Sequence, residues 1–395
     1  MCPTKKQRES DVTNPPDDPK RPLRILQCAS CFGSWGGAEL HLLNLSEQLV
    51  KRGHEVHITA VPGKFVEQDA ARRGIPTIPI HQRRTHDWPL LPKLQDAMRE
   101  HRFDVVHVHG GREYVMPPLA AKLSHVPAVL MTRHFHKRVR SLRRWMYSKV
   151  LMDHVIAVAD MVRGVLIESG FPPEQVTTIH HCTNVDEFSP DAVTIPAKTV
   201  RQEWGIPPGD TRLVVGFAGR FVPDKGGDVF VKALARVPDA VGVLLGTGDC
   251  KDEWTRLAHE AGLGPDRMFW GGFRADIQNG LNAFDVFVLP SIYAEPCAAV
   301  VQQAMAMGKP VIGTRLGGTP EMIAEHETGL LVPAQDDAAL ADAIRDLAGR
   351  PAAERNAMGE RGRQRVVEHF SLTRMAERTE TLYRQIIASK KGAAA

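Results

Sequence analysis

The stretch from residue 285 to residue 323 constrains the fold of this chain more than any other. Its apolar run Val286–Leu289 is short, continuous and followed at once by Pro290 and Ser291, which is typical of a fully buried strand in a parallel sheet. A second apolar run, Val311–Thr314, follows a segment of helical character. Strand, helix and strand in this order predict a βαβ unit, and therefore an α/β fold with a parallel sheet.

The loop inside this unit has the features of a ligand site. Glu295 follows the strand, and Pro296 predicts the first turn of a helix that continues to about Met307, because proline lacks the N–H that a first turn leaves unpaired. A carboxylate beside free helix N–H groups, at the carboxyl end of a parallel strand, suits a ligand that carries phosphates and hydroxyls.

Length and composition favour two domains of ordinary globular character. The 395 residues exceed one typical domain, and 43% are hydrophobic and 24% charged. No apolar run reaches the roughly 18 residues of a membrane-spanning helix. The polar start of the chain contains no apolar signal region, so we expect a disordered lead-in over residues 1–20 and a cytoplasmic protein. Six scattered cysteines do not form the pattern of a disulfide framework.

The N-terminal half opens with a predicted strand, loop, helix and strand. Gly36 and Gly37 lie in that loop, where the backbone of an open α/β sheet comes close to a ligand. The G-x-G-x-x-G spacing of a dinucleotide site is incomplete, which disfavours a dehydrogenase. His109 ends a later predicted strand, residues 104–109, at the edge where ligands bind.

A basic segment lies between Glu113 and Asp153, where the chain has eight basic residues and no acidic one. Apolar residues fall among them at helical spacing: Val139, Leu142, Trp145, Met146 and Val150. Two interpretations remain open. An amphipathic helix of this kind contacts an anionic membrane or acceptor, or it is an ordinary helix with a core stripe and a solvated cationic face. The contact residues would be Arg133, Arg140, Arg143 and Arg144. No motif supports nucleic-acid binding.

A proline-rich connector near residue 190 predicts the boundary between two domains. We assign residues 21–190 to an N-terminal domain, residues 191–370 to a C-terminal domain and residues 371–395 to a final helix and tail. The C-terminal domain repeats the alternation of strands and helices.

The first strand of the C-terminal domain leads into a loop that is rich in glycine. Arg220 and Lys225 lie in this loop, ahead of a predicted helix that begins near Gly227. Two fixed cations and free helix N–H groups suit a diphosphate. The G-x-x-x-x-G-K-[ST] spacing is absent, which excludes a P-loop.

Taken together, the motifs resemble those of the retaining GT-B glycosyltransferases of family 4, the group 1 transferases. In chain order they are G-G-A-E at 36–39, H-G-G at 109–111, G-R-x(4)-K-G at 219–226, E-P-x(6)-Q-A-M-A-x-G-x-P-V at 295–311, G-G-x-P-E at 317–321 and F-S-x(3)-M-A at 370–376. The resemblance implies two Rossmann-like domains that face a cleft, with a nucleotide-sugar donor held mainly by the C-terminal one. It also implies a last helix that crosses back onto the N-terminal domain.

The resemblance implies a role for individual residues. Arg220 and Lys225 would hold the donor diphosphate, and Glu295 would accept hydrogen bonds from sugar hydroxyls. His109 would lie against the transferred sugar. Further donor contacts would come from main-chain and small-residue positions: Gly36, Gly37, Gly219, Gly246, Cys297, Ala298 and Ala299.

The chain departs from the family pattern at Gln303, where the E-x7-E motif has a second glutamate that holds the ribose hydroxyls. A glutamine oxygen accepts one such bond, but it lacks the charge that makes a carboxylate bond roughly twice as strong. Cys297 and Ala298 also replace the usual aromatic and glycine residues.

We expect a hexosyltransferase or related glycosyltransferase that extends a bacterial envelope glycan of the lipopolysaccharide type. The basic segment would hold an anionic or lipid-linked acceptor at the inner face of the membrane. Two alternatives stay open: a non-catalytic nucleotide-sugar binding protein, motivated by Gln303, and a sugar-nucleotide epimerase. The absence of D-x-D predicts that transfer requires no divalent metal, and we expect no cofactor.

Overall fold

The computed structural model describes residues 21–29 and 36–394, with side chains up to residue 392. The predicted lead-in, residues 1–20, and most of the loop before Gly36 lie outside these ranges. The described residues form two parallel sheets, one in each half of the chain, with helices connecting successive strands. The predicted α/β architecture of two Rossmann-like domains is confirmed.

The first sheet has seven strands in the order β3-β2-β1-β4-β5-β6-β7, and every neighbouring pair is parallel. The strands are β1 (Arg24–Ala29), β2 (Glu55–Ala60), β3 (Thr77–Pro79), β4 (Val105–Val108), β5 (Ala128–Arg133), β6 (His154–Ala157) and β7 (Val176–Thr178). The strand order reverses between β1 and β4, and a ligand crevice forms at the carboxyl ends of strands that flank such a reversal.

Six helices belong to this half: α1 (Gly37–Lys51), α2 (Phe65–Arg72), α3 (Leu90–His101), α4 (Met116–Leu123), α5 (Ser141–Trp145) and α6 (Asp160–Glu168). Helix α5 continues directly into a π-helical segment, Met146–Leu151. None of the helices in the described residues combines the length and the apolar character that a membrane crossing requires.

The second sheet has six parallel strands in the order β10-β9-β8-β11-β12-β13. They are β8 (Leu213–Ala218), β9 (Ala240–Leu245), β10 (Met268–Gly272), β11 (Val286–Leu289), β12 (Val311–Thr314) and β13 (Gly329–Val332). The helices are α7 (Ala197–Glu203), α8 (Gly227–Ala235), α9 (Lys251–Glu260), α10 (Ile277–Asn282), α11 (Ala299–Ala306), α12 (Thr319–Met322), α13 (Asp337–Gly349) and α14 (Ala352–His369). The predicted boundary near residue 190 lies between β7 and β8.

The last helix, α15 (Leu372–Ala394), packs against α1 and so returns to the N-terminal domain, as predicted. Ion pairs hold it there: Glu380 lies 2.7 Å from Arg52, and Lys390 lies 2.6 Å from Asp153. Tyr383 is fully buried at this contact.

One predicted helix start is wrong. Helix α11 begins at Ala299 and not at Pro296, because the Glu295 carbonyl accepts a bond from the Gly318 N–H (2.8 Å) and keeps this segment in a loop. The sequence patterns did not predict strands β3 and β13.

The helical register of the basic segment also differs from the prediction. Leu142 and Trp145 belong to the expected core stripe, yet 78% and 56% of their surfaces are exposed. Tyr147 and Leu151, on the π-helical segment, are buried, and Val139 and Met146 of the stripe pack partly against the same core. The predicted core stripe is therefore only partly correct.

Candidate active site

An ion pair between Lys225 and Glu295 joins the two predicted ligand loops of the C-terminal domain. The Lys225 ammonium lies 2.8 and 2.6 Å from the two Glu295 carboxylate oxygens, and the Ser291 hydroxyl donates to the same carboxylate at 2.9 Å. Strands β8 and β11 are neighbours, so the loops that follow them meet at one edge of the sheet. The pair is mostly buried, which strengthens the attraction relative to water.

Arg220 lies in the same loop as Lys225 but has a different environment. Its side chain is exposed, and within the described residues its guanidinium makes no ion pair or hydrogen bond. An exposed guanidinium next to a paired ammonium is suited to a doubly charged ligand such as a diphosphate.

The glycines of this loop allow main chains to come very close. A Cβ at Gly226, which has a φ of +67°, would lie 2.0 Å from the Pro290 carbonyl oxygen. A Cβ at Gly246 would lie 1.9 Å from the Gly219 carbonyl oxygen. Gly219 and Gly246, both predicted to contact the donor, therefore pack against each other.

The two glycines of the G-G-x-P-E motif pack against the main chain of the Glu295 loop. A Cβ at Gly317 would lie 2.4 Å from the Glu295 carbonyl oxygen, and one at Gly318 would lie 2.0 Å from the Pro296 carbonyl oxygen. These two glycines therefore determine how the loop that carries the carboxylate is held.

Helix α11 begins directly behind this loop. Its N-cap, Ala298, has no side chain that could cap the first N–H groups, so the start of the helix can receive an anion. Burial raises the pKa of the Cys297 thiol to about 12, so this thiol is protonated at neutral pH and is not a thiolate nucleophile. Gln303 lies one turn into the helix, is partly exposed, and has no side-chain hydrogen bond within the described residues.

The N-terminal domain contributes His109, which is fully buried just beyond the end of β4. Its Nε2 lies 2.7 Å from Oε1 of Gln27. The neighbouring strand histidine, His107, bonds to the Tyr383 hydroxyl (2.6 Å) and the Thr132 hydroxyl (2.7 Å). The final helix thus reaches the strand that carries the predicted sugar contact.

Three further histidines, His41 on α1, His134 after β5 and His181 after β7, gather around His109. We call these four residues the histidine cluster. The ring centre of His41 lies 5.7 Å from that of His109, 5.0 Å from that of His134 and 5.4 Å from that of His181. Burial lowers the pKa of all four imidazoles, that of His134 to about 3, so the cluster is neutral at physiological pH.

Only His109 of this cluster was predicted from the sequence. The other three are separated by many residues and no short motif links them. The available signal was position, because His134 and His181 each follow a strand of the sheet closely, as His109 does.

The two domains touch along the edge of the cleft. Gln302 on α11 donates to the His181 carbonyl (2.8 Å), so the histidine cluster lies close to α11. Glu321 of the C-terminal domain accepts bonds from the backbone N–H groups of Asp160 (2.7 Å) and Met161 (2.9 Å), and from His180 (2.9 Å). The cap of α6 is therefore a carboxylate from the other domain, a role that the sequence did not reveal.

The four predicted acceptor arginines fall into two pairs. Arg133 donates to the Lys137 carbonyl (2.9 Å) and Arg144 to the Gly170 carbonyl (3.4 Å), and both are partly buried. Arg140 and Arg143 are exposed, and within the described ranges neither forms an ion pair. These two remain available to a partner.

The paired sheets, the cleft and the returning helix define the GT-B class of glycosyltransferases. Residues 35–187 match the family described as "Glycosyltransferase Family 4", and residues 212–350 match "Glycosyl transferases group 1". One match lies in each half of the chain, and the chain is a glycosyltransferase.

Known relatives agree with this assignment. The chain is 29% identical over 389 residues to an alpha-maltose-1-phosphate synthase of Mycobacterium tuberculosis, covering 90% of this chain and 96% of that protein. A shorter match, 34% identical, covers 46% of the chain and 52% of LpsE of Rhizobium meliloti, a lipopolysaccharide core biosynthesis glycosyltransferase. Among solved structures, HepE of Anabaena in complex with UDP superimposes with a TM-score of 0.78 at 21% identity, covering 91% and 99% of the two chains.

Proposed function

We propose that this enzyme transfers a hexose or related sugar, with retention of configuration, from a nucleoside diphosphate sugar to an anionic or lipid-linked glycan of the bacterial envelope. The observation that carries the proposal is the Lys225–Glu295 pair, set beside Arg220 at the starts of two helices. The UDP bound by HepE supports a nucleotide donor, and the role in the name of LpsE supports an envelope acceptor.

In this proposal the two loops divide the donor between them. Arg220 and Lys225 hold the diphosphate, assisted by the N–H groups at the starts of α8 and α11. Glu295, oriented by Lys225 and Ser291, accepts hydrogen bonds from sugar hydroxyls. His109 lies against the sugar from the opposite domain.

Retention follows from front-side displacement. Glu295 is already neutralised by Lys225 and bonded to Ser291, which makes it a poor nucleophile. The acceptor oxygen instead bonds to the anomeric carbon on the face from which the diphosphate oxygen departs. The acceptor proton passes to that diphosphate oxygen, and Arg220 and Lys225 stabilise the charge that develops there.

A panel of UDP-, GDP- and ADP-sugars tests the donor assignment. We expect one nucleotide to raise the melting temperature of the purified protein, and its sugar conjugate to release the diphosphate when a glycan acceptor is present. NMR of the product should show the anomeric configuration of the donor. Release of an epimerised free sugar, or binding without any transfer, would contradict the proposal.

We also propose that transfer needs no divalent cation, because Arg220 and Lys225 supply positive charge at the diphosphate. Transfer should continue at its full rate in EDTA. An EDTA-inhibited reaction that magnesium or manganese restores would overturn this part of the proposal.

The acceptor surface combines Arg140 and Arg143 with the exposed side chains of Leu142 and Trp145. A mixture of basic and large apolar side chains suits the headgroup region of an anionic membrane, which supports the proposal that the enzyme works at the inner face of that membrane. The double change Arg140→Glu and Arg143→Glu should abolish binding to vesicles of phosphatidylglycerol and leave nucleotide binding unchanged. Arg256→Glu, on an exposed face of the C-terminal domain, is the control. If the double variant loses vesicle binding and nucleotide binding together, the segment stabilises the fold and is not a membrane contact.

A further inference from the structure

We propose that His41, His109 and His134 form a site for a divalent transition-metal cation of the zinc type on the N-terminal side of the cleft. One ligand atom from each of the three side chains lies within 4.8 Å of the others. They come from three different elements, α1, the end of β4 and the end of β5, which the sheet brings to one place. Three imidazoles with a remaining open position are a recognised zinc ligand set.

The first support is that each histidine has a buried nitrogen available. Within the described residues, Nδ1 of His41, Nδ1 of His109 and Nε2 of His134 are buried and make no hydrogen bond. Buried polar atoms are normally paired, because leaving one unpaired costs free energy. Three histidines that each have an unpaired buried nitrogen, and that offer ligand atoms within 4.8 Å of one another, indicate a ligand between them.

The second support is the protonation state of His109. Its Nε2 lies 2.7 Å from Oε1 of Gln27, and a carboxamide oxygen can only accept. Nε2 therefore carries the proton, and the lone pair is on Nδ1, the unpaired atom. A histidine that ligates a metal usually donates its other N–H to an oxygen in this way. Burial also lowers the pKa of the three imidazoles, which keeps their lone pairs free of protons at neutral pH.

The geometry requires only small movements. Zinc–nitrogen bonds of about 2.0–2.1 Å in a tetrahedron place the ligand nitrogens about 3.3 Å apart, so side-chain rotations can close the present separations. His134 is partly exposed and gives a cation a route from the cleft. His181 adds another imidazole next to His41, also with an unpaired Nδ1.

The ligand type also predicts selectivity. Imidazole nitrogens favour zinc, cobalt and nickel, whereas magnesium and calcium prefer oxygen ligands. The site therefore differs in kind from a magnesium site at a diphosphate. A bound cation would occupy the lone pair of His109 and compete with the sugar, a consequence that rests on the proposed function.

The test measures cation binding alone, without any sugar or nucleotide. Protein without a histidine tag, stripped with EDTA, is titrated with zinc by calorimetry and with cobalt by visible absorption. We expect one equivalent of each cation and the intense visible bands of tetrahedral cobalt. His41→Ala and His134→Ala should each weaken zinc binding at least tenfold, and magnesium should not compete.

Three further variants make the outcome specific. His57→Ala removes a ligand from a separate group of Glu55, His57 and His101, and it should leave the affinity unchanged. Lys225→Ala should abolish donor binding but not zinc binding, so failure of the metal site and failure of the donor assignment can be told apart. His134→Gln, checked by circular dichroism, guards against loss of fold. The proposal would be wrong if the protein did not bind zinc stoichiometrically. It would also be wrong if zinc affinity were unchanged in both His41→Ala and His134→Ala.

Discussion

The C-terminal side of the cleft presents fixed charges, with Lys225 and Glu295 paired and Arg220 exposed, whereas the N-terminal side presents neutral imidazoles around His109. Charges suit a ligand that is itself an anion, and they need solvent or a partner to be stable. Neutral rings tolerate full burial and suit a sugar or a soft cation. In the proposed function, the charged side would hold the diphosphate and the neutral side would contact the sugar.

The two sides are also built differently. On the C-terminal side, short loops of consecutive residues are pressed together at glycines such as Gly226 and Gly318. On the N-terminal side, single residues from distant parts of the chain meet at the end of the sheet. The first side is therefore sensitive to local substitutions, and the second to the integrity of the whole domain.

Removing the charge of Lys225 should have the largest effect on catalysis. Lys225→Ala leaves Glu295 without its ion-pair partner and removes charge from the diphosphate, so kcat/KM should fall by about 100- to 1000-fold. The measurement is steady-state transfer with the best donor of the panel. Lys232→Ala, which removes an exposed lysine of α8, should change it less than twofold. Equal losses of kcat/KM in the two variants would show that Lys225 has no specific role in transfer.

Acid should destabilise the N-terminal domain before the C-terminal domain. Among the described residues, every histidine whose pKa burial lowers lies between residues 41 and 181. Burial lowers the pKa of His107 and of His134 from 6.5 to about 3. The unfolded state therefore binds more protons between pH 6.5 and 3, and stability falls as the pH falls through this window.

The acid effect can be measured by hydrogen exchange and denaturation. From pH 7.5 to pH 5 each of these two histidines should cost on the order of 2 kcal/mol of stability. Exchange protection should disappear in residues 21–190 before residues 212–350. His134→Gln should reduce the pH dependence, and an unchanged profile in that variant would contradict the assignment.

Glu321 links the two sides, and its substitution should have an intermediate effect. Glu321→Gln keeps the shape but weakens the charge-assisted bonds to the start of α6 and to His180. We expect a loss of about 1–2 kcal/mol in unfolding free energy and a more open cleft in small-angle scattering. Glu327→Gln, an exposed neighbour, is the matched control. If Glu321→Gln changes neither the unfolding free energy nor the scattering profile, Glu321 does not hold the two domains together.

The smallest effect concerns Gln303. Gln303→Glu restores the carboxylate of the family pattern, and it should tighten nucleotide binding by roughly threefold to tenfold, as a charge-assisted bond replaces a neutral one. Calorimetry with the preferred nucleotide measures this. Gln202→Glu, on an exposed position of α7, controls for the added charge. Weaker binding in Gln303→Glu would indicate that the ribose is held elsewhere.

The sequence predicted that the two loops of the C-terminal side meet, because the pattern that positions them is local. Arg220, Lys225 and Glu295 lie in short loops between strongly apolar strands, so their position at the sheet edge follows from the βαβ pattern. The histidine cluster could not be predicted in the same way, since it depends on which strands are neighbours in the sheet. His41 lies on a helix, where a single buried histidine gives no distinguishing pattern.

The errors have equally specific physical reasons. Pro296 predicted a helix start, but tertiary bonds to Gly318 keep that residue in a loop. The apolar spacing at Leu142 and Trp145 predicted a buried face, but α5 has no buried residue, and the buried side chains lie on the π-helical segment that follows. The cap of α6 comes from Glu321, in the other domain, which no local pattern reports.

The returning helix has a consequence for biosynthesis. Tyr383 reaches Gln27 and His107 in the interior of the N-terminal sheet, although these residues are separated by 356 and 276 positions in the chain. The segment that contains Tyr383 therefore leaves the ribosome long after the strands that it contacts. Until then, the surface of α1 that α15 covers stays exposed on the nascent N-terminal domain. Domains usually fold as they are synthesised, but here a domain that is made early is completed by a helix that is made much later.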